Sequence, residues 1–134
     1  MRILYIDAMN VIGSRPDGWW RDRDGAVRRL AARLQPFAAA TDAEVVLVVD
    51  GGPVTGLPEG RNDQLEVRYA RRRGRDAADD RIVELVTADD GNDIEVVTAD
   101  RALRERVEAL GAAVSGPRQL LDRLPSATGG AVTD

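Results

Sequence analysis

Five consecutive apolar residues, Val45-Val46-Leu47-Val48-Val49, run into Asp50 without a polar break. A strand with a wet face would alternate. An unbroken run suits a strand buried on both faces, as in a parallel sheet covered by helices. The rest of the chain supplies the other layers. Arg2 to Ile6 is a short β-rich run ending at Asp7, and Ile94 to Thr98 is another, followed by Asp100. Leu65, Val67 and Tyr69 alternate with Glu66 and Arg68, which predicts a strand with one wet face at the sheet edge. Ala112 to Val114 is a further short strand. Between them fall helical patterns. Val27, Leu30, Leu34 and Phe37 share one face, with Pro36 expected to bend or shorten the last turn. Ile82, Leu85 and Val86 follow a start at Asp76 or Asp79. Leu103, Val107 and Leu110 make a helix stopped by Gly111, and Pro117 opens a short one reaching Leu124. Gly51 to Gly60 reads as a long loop. The alternation of strand and helix implies an α/β fold, a three-layer α/β/α sandwich with a mainly parallel central sheet.

The chain has 134 residues, enough for one domain. We place that domain at residues 1–124 and expect 125–134, small and polar, to be a disordered tail. Composition then removes chemistry. There is no Cys, so thiol nucleophiles and thiolate metal sites are excluded, and no His, so a Ser-His-Asp triad is impossible. All 19 basic residues are Arg. Schiff-base lysines and P-loop lysines are therefore absent as well. Carboxylates, hydroxyls, Arg and backbone remain. No stretch is apolar enough to span a membrane, and the short N-terminal apolar run does not make a signal peptide; a cytoplasmic location is expected.

In open parallel sheets, sites lie outside the carboxyl ends of the strands. Those ends carry Asp7, Asp50, and Thr98 with Asp100, while Asp79 and Asp80 open a helix. Each has a structural alternative. Asp50 before Gly51-Gly52 suits a turn, Asp100 can cap the following helix, and Asp79 and Asp80 complement a helix dipole. Asp7 lies between apolar residues in Ile6-Asp7-Ala8-Met9-Asn10-Val11-Ile12, where an unpaired carboxylate is expensive to bury. Clustered carboxylates repel unless a cation neutralises them, and an all-oxygen donor set selects Mg²⁺ or Mn²⁺. An ion of that kind favours phosphodiester hydrolysis.

The charge pattern suits a polyanion. Arg68, Arg71, Arg72, Arg73 and Arg75 fall within eight residues free of acids, whereas positions 76 to 100 hold nine acids and only Arg81 as a base. Arg forks grip phosphates bidentately, so this strip is a candidate RNA-binding element, with a solvated loop as the alternative. Arg15, Arg21 and Arg23 could extend it. Trp19 and Trp20, the only tryptophans, could stack on bases or cover the end of the core.

Four segments in order resemble the NYN domain family, a branch of the PIN-like nucleases: Ile6-Asp7-Ala8-Met9-Asn10-Val11-Ile12, Val48-Val49-Asp50, Ala78-Asp79-Asp80-Arg81-Ile82 and Val96-Val97-Thr98-Ala99-Asp100. The resemblance covers residues 1 to about 124. Ala8-Met9 stands where the family has Gly-Tyr, and Val83 where related sequences often carry Glu. The resemblance implies a PIN-like fold and a metal-dependent ribonuclease. It makes Asp7, Asp50, Asp79 and Asp100 the catalytic acids, with Asp7, Asp79 and Asp100 as metal ligands. Asn10, Asp80 and Thr98 become auxiliary residues. The expected cofactor is Mg²⁺ or Mn²⁺ and the expected partner RNA; a homodimer is expected by analogy alone. The competing expectation is a non-catalytic RNA-binding module on the same fold. A phosphate-receiver domain would need a lysine after its last strand, and a dehalogenase-type phosphatase a second Asp at position 9, which is Met.

Overall fold

The computed structural model describes residues 1–15, 17–70, 77–89 and 91–125. Strands β1 (Arg2–Asp7), β2 (Glu44–Val49), β3 (Gly60–Asn62), β4 (Leu65–Tyr69), β5 (Asp93–Val97) and β6 (Ala113–Ser115) form one sheet. Their order is β3-β4-β2-β1-β5-β6. All neighbours are parallel except β3 and β4.

Strand β2 is the doubly covered strand that its apolar run requires. Val45, Leu47 and Val49 enter one core cluster and Val46 and Val48 the other. Strand β1 divides the same way, Leu4 and Ile6 against Ile3 and Tyr5. Helices α1 (Ala8–Gly13), α2 (Arg23–Ala40) and α5 (Pro117–Arg123) contribute to the first cluster, and α3 (Ala77–Ala88) and α4 (Arg101–Ala109) to the second. The result is the three-layer arrangement expected.

Local signals explain the helix ends. The Asp22 carboxylate accepts from the Gly25 amide at 3.0 Å and starts α2; the Asp100 carboxylate accepts from Leu103 at 3.0 Å and starts α4. At the end of α4 the Ala112 amide reaches back to the Val107 carbonyl around Gly111, whose φ is 93°.

Three expectations need correction, and one element went unread. A helix, α1, follows β1 directly. Strand β4 is not an edge, because β3, which starts where the expected loop ends, pairs with it antiparallel. Helix α2 runs four residues past Pro36 to Ala40, since the ring of Pro36 stands on a partly exposed face and Thr41 still closes on the Phe37 carbonyl at 3.0 Å. Leu110 lies just beyond α4 and is exposed. The expected tail falls almost wholly outside the described residues. No helix among the described residues is long and apolar enough to cross a membrane.

Candidate active site

Because β2, β1 and β5 are adjacent and parallel, their carboxyl ends lie side by side. That places Asp50, Asp7 and the Thr98-to-Asp100 segment along one edge. Asp7 is central. It is the last residue of β1 and stands at the cap position of α1, yet its side chain does not cap that helix. It is only 5% exposed. Burial, reinforced by the charges of Asp79 and Asp50, pushes its carboxyl up to about 7, against the opposing pull of hydrogen bonds from Thr98 and the Asn10 backbone.

Thr98 ties two acids together. Its hydroxyl donates to Asp7 Oδ2 at 3.1 Å and accepts from the Asp100 amide at 3.1 Å. Asn10, on α1, accepts from the Ala99 amide at 2.7 Å and so fastens the first helix to the loop after β5. Asp79 is buried in the first turn of α3, where the helix dipole favours a carboxylate. Asp100 is half-buried, and one of its oxygens caps α4.

Asp80 faces elsewhere: it makes an ion pair with Arg106 of α4 at 3.0 Å and braces α3 against α4. Arg68 is paired with Glu66 on its own strand at 2.6 Å. Arg71, Arg72, Arg73 and Arg75 lie outside the described residues. Among the described residues, no group of three or more carboxylates is placed to hold a metal ion. The donor chemistry, acids and hydroxyls around a buried carboxylate, nonetheless suits a hard cation.

Arg23 has a role here that composition alone did not reveal. Its guanidinium donates to the Asp50 backbone carbonyl and, at 2.9 Å, to Asp24. It crosses Gly51, whose φ is 88° and where a Cβ would stand 2.6 Å from Arg23 Nη2. Gly51 after Asp50 signals the left-handed turn, but nothing in the sequence signals the arginine, 27 residues away, that crosses it.

A mainly parallel sheet between two helical layers, with acids at its carboxyl edge, fits a PIN-like α/β domain. The chain belongs to the YacP-like NYN domain family, matching it over residues 4–131. It is also similar to the crystal structure of Rae1 (YacP) from Bacillus subtilis, at 27% identity and a TM-score of 0.73, covering 91% of this chain and 72% of that one. A point mutant of Rae1 gives 25% identity and a TM-score of 0.72, covering 90% and 72%. No curated protein sequence matches the chain. The resemblance read from the four sequence segments is therefore correct at the level of family and fold.

Proposed function

We propose that the chain is a metal-dependent endoribonuclease acting at the carboxyl edge of the sheet. One observation carries the reading: a buried carboxylate, Asp7, is pressed by two further acids at the position where parallel α/β sheets bind ligands. Such a carboxylate gains most from a cation. Asp7, Asp79 and Asp100 would hold Mg²⁺ or Mn²⁺, with Asp50 orienting the attacking water. A bound ion would supply a water of lowered pKa and charge neutralisation at the phosphoryl group. The chain's own contribution is positional. Thr98 fixes the Asp7 carboxylate, Asn10 locks α1 to the loop carrying Asp100, and Arg23 holds the backbone of Asp50. The arginine strip around residues 68–75 would contact flanking phosphates.

The second reading, a non-catalytic RNA-binding module, draws on one observation: Asp80 pairs with Arg106 and an Asp100 oxygen caps α4, so two of the expected acids already have structural roles. Cleavage of a labelled structured RNA separates the two. The assay is run with Mn²⁺, Mg²⁺ or EDTA, beside the Asp7→Asn variant. The nuclease reading expects metal-dependent cutting that the folded variant lacks. Intact RNA in every lane, together with a salt-sensitive gel shift, would favour the binding module.

A further inference from the structure

The two tryptophans, adjacent in sequence, separate in the fold. Trp19 is partly buried and packs against the larger core cluster, so it takes the core-covering role. Trp20 is 60% exposed and is not among the residues packed against either cluster. An indole left in water forgoes a large apolar burial, and tryptophans exposed without a core role concentrate at contact surfaces. The ring centroids are 6.2 Å apart with planes at 84°. Perpendicular rings meet edge to face, so Trp20 keeps at least one face clear of its neighbour. Trp19, packed against the core, is the ring that Trp20 meets at this angle.

The location matters as much as the exposure. Trp20 sits in a single 3-10 turn, Trp19–Arg21, that leads through the cap residue Asp22 into α2. Arg23, the first residue of α2, donates to the carbonyl of Asp50 at the end of β2. Three residues of backbone reach about 10 Å. With the Arg23 side chain added, that backbone tethers Trp20 to the carboxyl end of β2, where Asp50 lies, on the α2 side. Arg21 beside it is exposed and makes no ion pair among the described residues.

We infer that Trp20 is a stacking platform for an unpaired base flanking the phosphate held at the carboxylate edge, with Arg21 on an adjoining phosphate. This rests on RNA being the ligand, as proposed above, and it adds that the bound strand is single-stranded beside the site. A flat aromatic face next to a free guanidinium is the arrangement by which single strands are held with little regard to sequence.

The test uses the full chain in EDTA, so that cleavage plays no part. Binding of a dye-labelled single-stranded oligouridylate and of a dye-labelled, fully paired RNA hairpin is followed by fluorescence anisotropy for every form, and intrinsic tryptophan fluorescence is read in the wild type. Oligouridylate should quench the tryptophan signal. Trp20→Leu should weaken its binding about 5- to 150-fold, the range for one lost base–aromatic stack, while Trp20→Phe keeps most of the affinity. Both variants should melt like the wild type, because the side chain is exposed. Oligouridylate binding by Trp20→Leu at wild-type affinity, or by no form of the protein, overturns the inference. So does hairpin binding that is as tight as single-strand binding and equally indifferent to Trp20. Trp20-dependent binding to an RNA that Mg²⁺ or Mn²⁺ never causes to be cut upholds the platform and sinks the nuclease. Metal-dependent cutting with unchanged KM in Trp20→Leu does the reverse.

Discussion

Replacing Asp7 with asparagine should stabilise the metal-free protein, by an amount that grows from about pH 4 and levels off above about pH 7. In the fold Asp7 keeps its proton to about pH 7, against 3.8 for an unperturbed carboxyl. Between those values the folded state binds more protons than the unfolded chain, so stability falls as pH rises. A displacement of about three pH units, at about 1.36 kcal/mol each, makes the ionised form cost about 4 kcal/mol. Asparagine has the same shape, can still accept from Thr98, and never ionises. Below about pH 4 the two proteins should be equally stable but for small packing differences. From pH 5 to pH 8 the variant's advantage should grow by about 3 kcal/mol, the two pH units below 7 at the same rate. Urea unfolding of both proteins in EDTA at pH 5 and pH 8 measures this difference, and the other carboxylates cancel between them. A stability gap that is the same at both pH values would refute the argument that burial and neighbouring charge hold the proton. Adding Mn²⁺ at pH 8 should then stabilise the wild type and leave the variant unmoved, since an ion that binds only the folded state shifts the equilibrium by mass action.

Thr98→Val should lower stability by about 1–3 kcal/mol, because it removes the donor to Asp7 and leaves the partly buried Asp100 N–H without its acceptor; Thr98→Ser should recover most of it in thermal melts. Gly51→Ala should lose about 1–2 kcal/mol in urea unfolding from its left-handed backbone alone. An added loss should come from the collision with Arg23, and combining the change with Arg23→Ala should relieve only that second part. A Gly51→Ala loss that Arg23→Ala leaves unchanged would remove Arg23 from its place over β2.

The layers of this fold were legible because burial writes itself into sequence. Val45–Val49 had to be covered twice, and Leu103 and Val107 had to face a core. The missed elements lack that signature. Helix α1 is six residues long, too short for a period to repeat, and its Val11 and Ile12 read as a continuation of apolar sequence. Strand β3, Gly60-Arg61-Asn62, carries no apolar residue at all and exists because β4 offers it a ladder. The acids followed from the strand-end rule, because the rule concerns backbone direction and the direction was inferable. Their side-chain partners were not. That Asp80 turns to Arg106, that Arg68 turns to Glu66, and that Trp19 rather than Trp20 covers the core each depend on tertiary geometry between distant segments.

The central place of β1 has a consequence for motion. It is hydrogen-bonded along both sides, to β2 and to β5, and its side chains reach into both cores. Amides in such a strand exchange with solvent only through the rarest and largest openings of a protein, whereas three-residue margins such as β3 and β6 open often and alone. Asp7 is the last residue of that strand. The one acid on which the proposed chemistry turns is thus anchored to the part of the molecule that lets go last.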